Sequence, residues 1–240
     1  MAAKNPLKIW LRYYRDLVRL IYPENCIVCE TELTVEDSCC CGFCIMELPY
    51  TYYERFTEPT ALDQLFWGRV PIEMTFSLMY FEKGSASQKI LHELKYGNNS
   101  KLGIRMGNLI GEQIKHTSAF NTIELLIPVP IHHRKKFTRG YNQSCLLAKG
   151  ISQTAGIPLN ERIIQKNEHT ASQTRKGRFL RWDNVKEQFS IKEPLNEQVR
   201  HVAFVDDVIT TGATLESLIR VFQEKYPDIH VSVISLAVTK

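Results

Sequence analysis

The chain has 240 residues, 44% of them hydrophobic and 23% charged, ordinary globular values that exclude wholesale disorder and a collagen-like repeat. At about 150 residues per domain it holds one full domain and a small module, and no apolar run approaches the roughly 18 residues of a transmembrane segment. Lys and Arg number 30 against 26 Asp and Glu, a net charge of +4, which is too weak by itself to point to nucleic acid.

The charge is unevenly placed. Residues 1–21 carry Lys4, Lys8, Arg12, Arg15 and Arg19 against Asp16 alone, and residues 125–160 carry five Lys or Arg and no acid. A third basic stretch runs through Lys166, Arg175, Lys176, Arg178 and Arg181. Such local excesses suggest anionic partners at particular loops.

Residues 6–21 predict an amphipathic helix. Leu7, Trp10, Leu11, Tyr14, Leu17, Val18 and Ile21 recur at helical spacing, Asn5 can cap, Pro6 suits the first helical position and Pro23 ends the segment. Its basic face fits either a docking surface on protein or the surface of a membrane. Charges interrupt residues 1–22 too often for a signal peptide. The expected location is therefore the cytoplasm, where clustered cysteines read as metal ligands rather than disulfides.

Six of the seven cysteines follow at once. Cys26-Ile-Val-Cys29 and Cys41-Gly-Phe-Cys44 are two C-x2-C pairs separated by eleven residues. Four thiolates presented from two tight turns suit tetrahedral Zn²⁺ in a closed, structural site. Cys39 and Cys40 leave the second pair open to a different register, with Cys41 favoured because its spacing is tighter and Gly42 eases the turn.

Residues 45–75 show no clear period and read as a linker. Beyond them the pattern alternates: strand 76–81, helix 86–96, helix 102–116, strand 123–129, helix 143–156, short strand 163–166, strand 202–206, helix 214–226, strand 230–238. Strands alternating with helices predict an α/β fold with a parallel central sheet.

The stretch from His201 to Ser217 says most about chemistry. Apolar residues 202–205 predict a buried strand, and Asp206 and Asp207 sit at its carboxyl end, where ligands of open α/β sheets bind. Thr210, Thr211, Gly212, Ala213 and Thr214 then lead into a helix striped by Leu215, Leu218, Ile219 and Phe222. A hydroxyl-rich loop that opens a helix is a cradle for one phosphate. Two carboxylates beside it need another task, which vicinal ribose hydroxyls or a hydrated Mg²⁺ would supply. The pattern suits a ribose 5-phosphate, and it is not a Walker loop, because no Gly-Lys-Ser/Thr follows.

Two basic stretches accompany this edge. After Pro128-Val-Pro130 come His132, His133, Arg134, Lys135, Lys136 and Arg139, four permanent cations within six residues. His169 to Arg181 is the second. Lys95 and Tyr96 are candidates to face the same pocket, though Lys95 reads equally well as a surface cation on a helix.

The Asp206–Thr214 stretch resembles the phosphoribosyl-diphosphate (PRPP) motif of the type I phosphoribosyltransferases. With His92–Tyr96, Ile127–Ile131, Arg139-Gly-Tyr-Asn-Gln143, Thr170–Thr174, Arg178 and Asn184, the chain is most similar to the ComF/GntX group, which pairs this domain with an N-terminal zinc finger. With the amphipathic helix over 1–22 read from periodicity, the resemblance, from about Pro23 onward, implies a four-cysteine zinc module over 23–60 and a phosphoribosyltransferase domain over 61–240. That domain would have about five parallel strands, PRPP as ligand and Mg²⁺ as cofactor.

It also implies roles. Asp206 and Asp207 hold the ribose, Thr210–Thr214 the phosphate, Arg134 and Arg139 the pyrophosphate. The 169–181 stretch matches the family's flexible loop and brings Arg178, with Lys176, over the leaving group. The expected activity is phosphoribosyl transfer to an unknown acceptor with pyrophosphate release, since charge builds on the leaving group. Some ComF-type proteins are linked to DNA uptake. That gives an alternative, a PRPP- or nucleotide-binding adaptor without turnover that docks a DNA-uptake helicase or another competence protein, and single-stranded DNA is a further possible partner. An orotate-type biosynthetic enzyme shares the acid motif, but the N-terminal cysteines argue against it.

Overall fold

The computed structural model describes residues 23–34, 39–55, 58–167 and 188–240. The helix expected over 6–21 and the stretch holding Lys176 and Arg178 lie outside these. The chain divides into two compact units, Met1–Leu48 and Pro49–Lys240. Among the described residues no helix is long and apolar enough to cross a membrane.

In the first unit Cys26 opens a tight turn: its C=O accepts the Glu30 N–H at 2.8 Å, and its N–H donates to the Thr31 C=O at 2.8 Å. An antiparallel Asn25–Glu32 bridge flanks the turn. The second pair of cysteines straddles the start of a short helix, α1 (Gly42–Met46), whose N-cap is Cys41.

The second unit is built on a parallel sheet. Its strands β1 (Thr75–Phe81), β2 (Leu125–Pro128), β5 (His201–Ile209) and β6 (His230–Thr239) lie in the order β1-β6-β5-β2. β3 (Ile164–Lys166) and β4 (Phe189–Ile191) form a separate antiparallel pair. The parallel fold class stands, with four strands among the described residues. The place of a fifth is taken by one parallel bridge, Leu126–Leu159, beside β2.

The helices are α2 (Ala61–Gln64), α3 (Ala86–Tyr96), α4 (Ser100–Ile114), α5 (His133–Arg139), α6 (Gln143–Ala155) and α7 (Ala213–Lys225). β5 and β6 form the centre of the sheet, and residues 202–205 and 231–238 are buried, as a parallel sheet covered on both faces requires. α7 lays Leu215, Leu218, Ile219 and Phe222 into that core, with Phe222 edge-on to Phe204 at 5.3 Å between centroids. α4 and α6 pack closely because Gly107 leaves room: a Cβ there would lie 2.1 Å from the Leu147 carbonyl oxygen. That contact fixes α6, whose first turn belongs to the site.

Three local expectations change. The 45–75 segment is no linker: a 3₁₀ turn at Tyr53–Arg55 and α2 interrupt it, and Leu62, Phe66 and Val70 are core residues. A capping box between Thr60 and Asp63 starts α2, a signal short enough to be lost beside three prolines. The strand expected to end at Asp206 continues to Ile209, because β6 stays paired with it through Ile209–Val238. On its other side β2 stops at Pro128, opposite Val205, so the acids lie on a strand whose one neighbour has ended. The basic loop after Pro130 is largely a helix, α5, capped by His132, whose Nδ1 accepts the Arg134 N–H at 3.2 Å.

Candidate functional site

Successive residues of a strand point to opposite faces, so the two acids meet different neighbours. Asp206 Oδ1 accepts the Ser144 hydroxyl at 3.1 Å and the Asp207 N–H at 2.8 Å. Burial, reinforced by the charge of Asp207, pushes the Asp206 carboxyl up to about 7. Asp207 Oδ1 accepts the Val208 N–H at 2.8 Å, and its Oδ2 lies 3.1 Å from Lys95 Nζ. Lys95 is therefore ion-paired with the acid edge and is not a free surface cation. The pair thus holds one carboxyl that is easily protonated and one that is already ion-paired.

The loop 210–214 turns sharply out of β5 into α7. Gly212 is the N-cap and adopts a left-handed backbone, φ 71°, open to glycine at no steric cost. A Cβ there would also come within 3.0 Å of the Phe66 ring. The loop, with Asp206 and Leu215, lines a small concavity of about 40 Å³. Its far side is held by Arg69, which donates to the Thr211 C=O at 2.8 Å and, through Nε, to Glu216 at 2.8 Å. Arg69 was invisible in sequence because its segment carries no period. Glu216 in the first turn of α7 would repel an anion at the helix start, and the Arg69 and Arg220 guanidiniums neutralise it.

The segment Arg139–Ser144 ties three elements together. Tyr141 O–H and Gln143 Nε2–H both donate to the Leu94 C=O, at 3.1 and 3.3 Å. This fixes the end of α3 that carries Lys95. Asn142 Nδ2–H donates to the Val129 C=O at 3.0 Å, and its Oδ1 caps α6. Ser144, one residue beyond the motif read from sequence, reaches Asp206. Arg139 donates to Gln143 Oε1 at 3.0 Å and lies over the Tyr96 ring, 5.6 Å from its centroid. It stands beside the residues that place Lys95. Arg134 sits exposed on α5, and no described contact joins it to Asp206 or Asp207. Arg178 lies outside the described residues.

A further cation borders this edge. Lys166, on β3, has its ammonium 5.2 Å from the centroid of the Phe189 ring. Burial, then the charge of Lys135, holds Lys166 below the usual lysine range, while Asp206 acts in the opposite sense. Lys166 of β3 thus feels the charges of both Lys135 and Asp206.

In the first unit the Sγ atoms of Cys26, Cys29, Cys41 and Cys44 all lie within 4.8 Å of one another. A tetrahedron with Zn–S bonds of about 2.3 Å has edges of about 3.8 Å, and Cys29 and Cys41 are 3.7 Å apart. These four residues match the favoured register; Cys40 is buried but does not belong to the cluster. A hydrogen bond with the Thr31 hydroxyl leads the causes that bring the Cys29 thiol down to about 6, while burial and the neighbouring sulfurs push Cys44 up. Four thiols this close suit one thiophilic cation.

No protein-family model matches the chain. Competence protein F of Haemophilus influenzae is 30% identical over 188 residues, 77% of this chain and 78% of that protein. The chain belongs to the competence protein F family. Two further relatives share parts of it. DNA utilization protein YhgH of Escherichia coli K12 is 29% identical over 132 residues, 54% of this chain and 57% of its own length. Competence protein ComFC of Bacillus subtilis is 31% identical over 101 residues, 42% of this chain and 39% of its own. Among solved structures, glutamine PRPP amidotransferase from B. subtilis is similar with a TM-score of 0.38 and 20% identity, over 60% of this chain and 30% of that one. A hypoxanthine phosphoribosyltransferase from Staphylococcus aureus is similar with a TM-score of 0.36 and 13% identity, over 65% of this chain and 73% of that one. In this member of the competence protein F family, the sequence singles out the acids, the loop, the cysteines and, within a basic stretch, Lys166; Arg69 and Ser144 carry no signal in it.

Proposed function

We propose that this chain is a phosphoribosyltransferase-like protein that binds PRPP at the Asp206–Thr214 edge and transfers its phosphoribosyl group to an acceptor, releasing pyrophosphate. The observation that carries the reading is the acid pair on the open carboxyl edge of a parallel sheet, one turn before a Gly212-capped helix start. The helix N-terminus suits the 5-phosphate, and the carboxylates suit the ribose hydroxyls. Lys95, Lys166 and Arg139 would supply positive charge for a pyrophosphate leaving group, and Arg178 is a candidate to join them.

Carboxylates and the oxygens of PRPP are hard donors, a set that fits Mg²⁺; such an ion neutralises pyrophosphate charge when bound. The four cysteines fit Zn²⁺ as a structural ion, with no position left for substrate. The names of the relatives support a role in competence and DNA utilization, and a cytoplasmic site of action belongs to the same reading.

A second reading draws on α5. Phe137 is 92% exposed amid Arg134, Lys135 and Lys136, and aromatic side chains among cations are a platform for single-stranded nucleic acid. In that reading the chain is an adaptor that binds PRPP without turnover and docks DNA or a competence partner. One assay separates the two: pyrophosphate release from PRPP across a panel of bases, nucleotides and oligonucleotides. Release with any acceptor supports transfer. PRPP binding with no release for the whole panel supports the adaptor.

A further inference from the structure

The ion pair at Lys95 has no role in the reading above beyond adding positive charge. We propose that Lys95 is a displaceable counter-ion that makes the acid edge select ligands bearing both a ribose diol and an anionic group at C1. The proposal rests on the phosphoribosyl reading of this edge and adds to it a specificity-determining residue.

The bonding at the acids carries the argument. Asp207 Oδ1 is taken by the Val208 N–H, and Oδ2 is 3.1 Å from the Lys95 ammonium. Asp206 Oδ1 is taken by Ser144 and by the Asp207 N–H. A diol that approaches the pair meets Asp207 already neutralised. A hydroxyl is a weaker partner for a carboxylate than an ammonium is. Expelling Lys95 without giving it another anion also leaves the half-buried Asp207 carboxylate uncompensated beside Asp206, which is costly. A ligand with an anionic group at C1 offers the ammonium a new partner as it takes the old one. Ribose 5-phosphate, whose anion sits at the far end in the loop, does not.

Lys95 is also built to move. Its side chain is 27% exposed and that of Asp207 17%, so the pair is open enough to exchange. The backbone beneath it is anchored, because the Leu94 C=O accepts from both Tyr141 and Gln143. A fixed Cα with a flexible four-carbon stem lets the ammonium swing between two anions near one point. Lys166, by contrast, is packed over Phe189 and is less free to change partner.

The test is calorimetry on the full chain with PRPP and with ribose 5-phosphate, Mg²⁺ present throughout, for wild type, Lys95→Met and Lys95→Arg. The expected wild-type preference for PRPP over ribose 5-phosphate falls at least about tenfold in Lys95→Met, because PRPP weakens while ribose 5-phosphate holds or tightens. Lys95→Arg keeps most of the preference. An unchanged preference in Lys95→Met, or equal loss for both ligands, overturns the proposal and leaves the phosphoribosyl reading intact. Wild-type protein that binds neither ligand overturns both. A second readout needs no variant: the Lys95 side-chain NMR signal of the wild type shifts with PRPP and stays with ribose 5-phosphate. A shift of the same size with both ligands counts against displacement.

Discussion

The four-cysteine cluster and the acid edge are built in opposite ways. The cluster draws its thiols from residues 26–44 alone, two turns presenting two pairs, so its geometry follows from spacing. The edge is assembled from distant segments: Ser144 reaches Asp206 across 62 positions, and Arg69 reaches Glu216 across 147. A local site of four thiols has little apolar packing to hold it and depends on the ion it binds. An assembled edge is held by the sheet and helices that carry it, and under the proposed reading a ligand would meet a shape already formed. The contrast predicts that metal removal matters for folding in one region, and that single side chains matter for binding in the other.

The largest expected effect is therefore at the cysteines. Purified protein should carry one Zn²⁺ per chain. Cys44→Ser should lose it, and chelation should unfold the first unit at a cost on the order of 10 kcal/mol, the scale of structural zinc. Elemental analysis beside circular dichroism checks this. Loss of metal in Cys40→Ser with retention in Cys41→Ser would shift the ligand register. A smaller effect belongs to the loop. Gly212→Ala places a side chain on a left-handed backbone and against Phe66, costing about 1–3 kcal/mol in denaturant unfolding and weakening PRPP. A neutral result would mean the loop adapts and is not preformed.

The smallest effect is in pH. Asp206 titrates at about 7 in the folded chain, against about 4 for an unfolded carboxyl. The folded state then holds a proton that the unfolded state has released, so stability falls as pH rises from about 4 to about 7. Asp206→Asn removes this dependence. Its melting temperature relative to wild type should rise between pH 5 and pH 8, by the equivalent of about 1 kcal/mol or more. Parallel curves for the two proteins would show that Asp206 is not held protonated by its surroundings.

The contrast also explains what could be read in advance. Strand and helix order follow from apolar periodicity, and the acid–loop stretch is legible because strand, paired acids and helix start are consecutive. Ser144 looks like an ordinary helix residue until α6 is packed beside β5, and the two readings of Lys95 are separated only by its ion pair with Asp207. Arg69 lay in a segment with no period, since α2 is only a turn long and its capping box is the sole local signal. The basic stretch after Pro130 was recognised by charge, but His132 as a cap was not, because that role depends on the helix it starts. The extension of β5 to Ile209 leaves no signal in the sequence, because pairing with β6, and not an apolar run, keeps Asp206 and Asp207 in the strand.

The central claim is that Asp206 and Asp207 hold the ribose of PRPP while the 210–214 loop holds its phosphate. Calorimetry of PRPP with Mg²⁺ on wild type and on the Asp206→Asn, Asp207→Asn double variant tests it most directly. The account predicts tight wild-type binding that weakens by about 2–4 kcal/mol in the variant, the scale of charged hydrogen bonds that are not additive, with the circular dichroism spectrum unchanged. Equal affinity in the two proteins, or no binding by either, would contradict it.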